Sequence, residues 1–201
     1  MMLAEEMITP EILKKCSEEF RNEEGRAYFY DIAVEIADKY PLQAAIIVLA
    51  TWNTGRFRFM MSDPKNLMDL KEALDKCRPL FEQLKKERFQ TANFDEIGEI
   101  VKQIYSILSK VKGVEYTGAS KLMHLFCPNL FVMWDGFIRR KYRVGKSPED
   151  FLKFQKLMQD RFGKIKWDEP RTLPKVIDEY NYVKFTLPRL RKQRLKKRGK
   201  A

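Results

Sequence analysis

The chain has one histidine, three cysteines and no long apolar run among its 201 residues. Cys16, Cys77 and Cys127 lie far apart with no C-x-x-C spacing, and His124 is the only other soft ligand. That excludes an iron–sulfur cluster held by four thiolates and leaves a structural zinc site without a ligand set. Three reduced, mostly buried thiols are expected instead, since a free cysteine packs as a small hydrophobe. Neither a metal nor a cofactor is expected. The longest apolar stretch, PLQAAIIVLATW at 41–52, has the length of a buried helix and is too short to cross a bilayer. The N-terminus MMLAEEMITPEILKK has no basic segment followed by an apolar one, so no secretion signal is read there. A cytoplasmic protein without a membrane partner is the expectation, and a monomer is the default.

What the chain does have is positive charge, a net +11. Nine of its 39 basic residues fall in 182–201, YVKFTLPRLRKQRLKKRGKA, which holds no acid, so 1–181 carries 30 basic against 28 acidic residues. The excess therefore belongs to the end of the chain. A basic, proline-interrupted tail over 184–201 suits non-specific, salt-sensitive phosphate binding; a solvated solubilising tail is the alternative. The remaining 1–183 reads as one all-α unit.

Helical periodicity recurs almost throughout, and no alternating strand pattern survives. Thr9-Pro10 opens a helix with its apolar face on Ile12, Leu13, Cys16 and Phe20. Tyr28, Ile32, Ile36 and Tyr40 mark a second, over 26–40, and Pro41 opens the most apolar one. Asp63-Pro64, Asn93, Ser147-Pro148 and Thr172 are read as further helix starts, and Gly163 as the stop of a helix over 149–162. Short polar turns between such helices predict an all-α fold.

Within this background stands KGVEYTGASKLMHLFCPNLFVMWDGFIRR, residues 112–140. Gly113 can take the left-handed conformation that ends a helix over 94–111, and Gly118-Ala119-Ser120 begins another with small residues that permit close packing. The amides at such a second helix start suit a phosphate. The stretch resembles the helix-hairpin-helix DNA glycosylase superfamily, with its endonuclease III type of fold. Val111 through Thr117 stand for the hairpin, Gly118 through Lys121 for the helix start, and Val132-Met133-Trp134-Asp135-Gly136 for the aspartate segment. The 18 residues from Thr117 to Asp135 match the family's arrangement without a gap. Leu49 through Thr54 falls where the family carries an apolar helix and the polar residue that wedges into the duplex.

The resemblance spans 41–145 and implies a bilobal helical fold, completed by 1–40 and 146–183, with its site between the lobes. It implies double-stranded DNA with a flipped or damaged base as the partner, and excision of that base as the reaction. Asp135 would be the catalytic carboxylate, stabilising an oxocarbenium-like transition state and handling the attacking water. Thr117 occupies the position of the Schiff-base lysine of lyase members, so a monofunctional glycosylase is implied and a lyase step is not expected. The chain departs from the family at Glu115, where a second hairpin glycine is usual, at Val48, where adenine-excising members carry glutamate, and in lacking the four-cysteine cluster. A protein that keeps the fold only to bind nucleic acid is the competing reading.

Gly113 and Val114 are the expected phosphate-binding turn. Lys110, Lys112, Lys121, Arg139 and Arg140 are candidate DNA contacts, as are Trp52, Asn53 and Arg56 at the wedge, where a helix end capped at Gly55 is the alternative. Trp134 and His124 are candidates for the base pocket; core packing competes for both. Asp135 before GFIRRKY is also an ordinary helix N-cap, and the residues alone do not separate the two roles.

Overall fold

The structure, a computed structural model, describes residues 8–198, apart from the side chains at 194, 197 and 198. The first residues, read for a signal, and the last three of the expected tail lie outside it. Eleven α-helices and one π-helical turn run in order: α1 (Pro10–Glu23), α2 (Ala27–Ile36), α3 (Pro41–Trp52), α4 (Thr54–Met60), α5 (Pro64–Leu84), α6 (Gly98–Ser109), α7 (Glu115–Phe126), α8 (Gly136–Lys141), α9 (Pro148–Phe162), α10 (Leu173–Asn181), the π turn (Tyr182–Thr186) and α11 (Leu187–Arg198). There is no strand among the described residues, and none of their helices is long and apolar enough to cross a membrane.

Local chemistry places most of the helix starts. The Thr9 hydroxyl accepts from the Ile12 amide, Asp63 from the Lys65 amide and Thr172 from the Lys175 amide, each beside a proline in the first turn. Ser147 and Asp150 form a reciprocal capping box at α9, satisfying two donors that would otherwise lack partners. Asn93 differs from its reading. Its side chain holds a turn, accepting from the Asp95 amide, and α6 begins only at Gly98. Gly55 also differs: it lies inside α4, a short helix that restarts after the break at Asn53. Gly163 does end α9, with an ordinary right-handed φ of −64°.

Two contacts set up the site. Small residues bring α7 against α3: a Cβ on Gly118 would lie 2.9 Å from the Leu49, Asn53 and Val114 side chains. At the α6–α7 turn, Gly113 has φ +90° and its missing Cβ would meet the Met60 backbone nitrogen at 2.7 Å. Only glycine combines that conformation with that approach. From the chain ends, α1 packs on α10, and the π turn packs on α1 and α8. Cys16, Cys77 and Cys127 are buried thiols outside any disulfide; burial pushes the thiols of Cys77 and Cys127 up to about 12.

The expected tail boundary at 184 is not where the chain leaves the core. Thr186 and Leu187 are buried, and the chain continues as helix to Arg198. The π turn has a local cause. Pro188 has no N–H to give a carbonyl one turn back, and the Leu187 amide reaches instead to the Tyr182 carbonyl five residues away, the wider π spacing.

Candidate functional site

A cavity of about 190 Å³ lies where α1, α2, α3, α7, α10 and the π turn converge on the loop before α8. Its walls are aromatic (Phe20, Tyr30, Trp52, Trp134 and Tyr182), and its charged lining is Arg26, Lys121, Lys175, Asp135 and Asp178. Thr117 also faces it.

Asp135 reaches the cavity while capping α8. Its Oδ1 accepts the Phe137 amide at 2.7 Å and the Ile138 amide at 2.8 Å, and Oδ2 accepts the Thr186 hydroxyl at 2.6 Å. Asp135 thus caps α8 and also lines the cavity. Three donors hold the carboxylate in one orientation. The segment leading to it is anchored as well: the Ser120 hydroxyl donates to the Trp134 carbonyl at 3.2 Å, and the Trp134 indole to the Tyr116 carbonyl at 3.1 Å. Trp134 is fully buried against Tyr105, Phe151 and Phe154, so it is at once core and cavity floor.

Lys121 does not sit on the surface as a DNA contact. It is buried, its ammonium donates to the Trp52 carbonyl at the end of α3, and it lines the cavity. One reason for its place is ordinary, since cations commonly cap the last carbonyls of a helix. Burial pulls its pKa down to about 8, against the pull of Asp135 and Asp178, which favour the charged form.

Lys175 is the second buried ammonium. It pairs with Asp178 at 2.9 Å and with Glu179 at 3.4 Å. It also lies 4.7 Å from the ring centres of Phe20 and Tyr30 and 5.8 Å from that of Trp52. Arg26 covers Trp52 at 4.7 Å, and Phe20 stacks on the same indole at 5.4 Å. Burial raises the pKa of Asp178, and Lys175 opposes the shift. Behind these, Glu179 is fully buried and accepts from Ser17 at 2.6 Å and Arg171 at 2.8 Å. One donor is left over: the Trp52 Nε1–H is buried and has no acceptor among the described residues.

Several expected DNA contacts are engaged elsewhere. Asn53 is buried and its amide donates to the Gly113 and Val114 carbonyls, each at 3.0 Å; it fastens the α6–α7 turn to α3 and is not a free wedge. Trp52 is likewise held between other groups. The Val114 and Glu115 amides both donate to the Val111 carbonyl, and Val114 is fully buried, so neither amide is free for a phosphate. Arg139 gives its guanidinium to the Val144 carbonyl at 2.6 Å, closing the end of α8. His124 is buried outside the cavity: its Nδ1 donates to the Phe131 carbonyl at 2.5 Å and its Nε2 accepts from Tyr30 at 2.6 Å. Burial pushes its pKa down to about 3, so it is a neutral packing histidine. Lys110, Lys112 and Arg140 are exposed, available to a polyanion.

Glu115 has φ +53°, the left-handed conformation that a second glycine would adopt at no cost. Its carboxylate pairs with Arg56 at 2.9 Å and is thereby partly neutralised. Among the described residues no group of three or more His, Cys, Asp or Glu side chains could hold a metal ion.

Sequence reasoning missed Phe20, Arg26, Tyr30, Lys175, Asp178 and Tyr182, which complete the cavity from distant parts of the chain, and Thr186, which holds Asp135. Two of these, Lys175 and Asp178, left a sequence signal. Lys175, Asp178 and Glu179 recur at helical spacing inside the apolar run LPKVIDEYN, charge on a face otherwise built for burial. No protein-family model, curated protein or solved structure matches the chain.

Proposed function

We propose that this chain binds double-stranded DNA through a helix-hairpin-helix, glycosylase-like fold and removes a damaged or mismatched base as a monofunctional DNA glycosylase. The observation that carries the reading is the oriented Asp135 carboxylate facing an aromatic cavity, 18 residues after Thr117 in a turn with left-handed residues at 113 and 115. A flipped base would enter the cavity, leaving its sugar near Asp135. There the carboxylate stabilises positive charge developing at C1′ and takes a proton from the attacking water. Thr117, facing the same cavity, has no amine to attack the sugar. Exposed Lys110, Lys112 and Arg140, with Arg189 and Lys192 on α11, supply cations for the phosphates.

The second reading is a binding protein without catalysis. It is favoured by the engagement of both Asp135 oxygens and by Glu115, a carboxylate at the turn that would meet phosphate. A strand-scission assay separates the two. Duplexes carrying one damaged or mismatched base each are incubated with the protein or with Asp135→Asn, then treated with alkali. Alkali-dependent cleavage that is lost in the variant is expected. Salt-sensitive binding without cleavage of any duplex would support the second reading, and cleavage before alkali would assign Lys121 a covalent role that the excision reading lacks.

A further inference from the structure

We infer that the cavity selects bases that leave as anions, the imide pyrimidines such as uracil and its 5-substituted relatives, with Lys121, Lys175 and the Trp52 indole N–H facing the departing base. The inference rests on the excision reading and adds to it the chemical class of substrate.

Three observations point the same way. First, the cavity contains two buried ammonium groups, Lys121 and Lys175, and fixed charges in a dry site act more strongly than they would in water. Second, aromatic walls ordinarily suit a cationic guest through their ring faces, but three of these rings, Phe20, Tyr30 and Trp52, already have a cation over them. Lys175 lies over Phe20 and Tyr30, and Arg26 over Trp52. A base carrying positive charge, such as an N7-alkylated purine, would meet three cations, Arg26, Lys121 and Lys175, against two carboxylates, Asp135 and Asp178, and find those three rings covered. Third, the buried Trp52 Nε1–H lacks an acceptor. A buried donor without a partner is costly, and a base carbonyl would supply one. Lys121, Lys175, Trp52 and Asp178 all line the cavity, donors and an acceptor of the kinds that a carbonyl, N–H, carbonyl edge takes.

The reaction balances without another reactant. The C1′–N1 bond breaks with both electrons going to N1, and the negative charge spreads onto the two base carbonyls beside the ammonium groups. Water oxygen bonds to C1′, and the proton it loses goes to Asp135. No acid is needed to protonate the leaving base, whereas a neutral purine would need one.

Single-turnover rates on duplexes bearing uracil, 5-fluorouracil, hypoxanthine, 1,N6-ethenoadenine or 7-methylguanine test this with the unaltered protein. 5-Fluorouracil is expected to leave fastest, uracil next, and 7-methylguanine not at all. Lys121→Met and Lys175→Met should each slow uracil release by about 10²-fold, the scale of losing one charge-stabilising donor, and Lys121→Arg should restore much of it, which a covalent role for the lysine would not allow. Faster release of 7-methylguanine or ethenoadenine than of uracil would overturn the inference and leave base excision standing. Release of no base from any duplex would overturn both.

Discussion

Two residues at the α6–α7 turn carry its left-handed backbone, one a glycine and one not. Gly113 keeps the positive φ that its contact with Met60 requires. Glu115 takes a left-handed conformation that costs a non-glycine residue about 1–2 kcal/mol, and its charge is met by Arg56. Replacing that carboxylate by an amide frees Arg56 for phosphate and removes a repulsion. Glu115→Gln is therefore expected to bind duplex DNA more tightly. The slope of log K against log salt should steepen by about 0.9, one further phosphate contact, as read by fluorescence anisotropy over a salt series. An unchanged slope would mean that the turn does not face DNA.

At the scale of elements, α7 organises the molecule, because its buried polar residues each tie it to a different neighbour. Lys121 reaches the end of α3, Ser120 holds the Trp134 segment, and His124 joins Tyr30 of α2 to the Phe131 carbonyl. The histidine gives this arrangement a pH dependence. Its pKa is about 3 in the folded state against roughly 6.5 when unfolded, so on acidification the unfolded chain takes up the proton first. Stability should fall by about 1.4 kcal/mol per pH unit below roughly 6.5, a loss that continues toward the folded-state value. In urea titrations between pH 7 and 4, His124→Gln should flatten the curve relative to the wild type. Parallel curves would place the acid sensitivity elsewhere.

Element boundaries were legible where a local rule governs them. Thr9, Asp63, Ser147, Thr172 and Asp135 announce their helices through side chains that accept amides two or three residues on. The restart at α4 was not legible, because it depends on Asn53 turning inward to carbonyls 60 and 61 residues away. Nor was the contact that the π turn makes, from Thr186 to Asp135 across 51 residues.

At the scale of the whole molecule, the cavity is made by distant segments: α1 and α2 bring Phe20, Arg26 and Tyr30, while α10 and the π turn bring Lys175, Asp178 and Tyr182. The motif between 111 and 136 marked one wall, with Thr117, Lys121, Trp134 and Asp135. Apart from the charges at helical spacing in LPKVIDEYN, the opposite wall follows no local pattern, since its residues become neighbours only when α1 packs on α10. The charge excess at the C-terminus, read as a tail, also belongs partly to the folded body: Arg191 on α11 pairs with Glu19 and Glu23 of α1 at 3.2 and 2.6 Å. Leu190 beside it lines the cavity.

On the excision reading Asp135 serves the cavity as well as its helix, and one variant tests this with two readouts. Asparagine caps a helix about as well as aspartate, so Asp135→Asn should melt within a few degrees of the wild type. Release of the best substrate base in the same preparation should fall by at least about 10²-fold. A variant that keeps both its melting temperature and its rate of base release would contradict the account, leaving Asp135 a helix cap and nothing more.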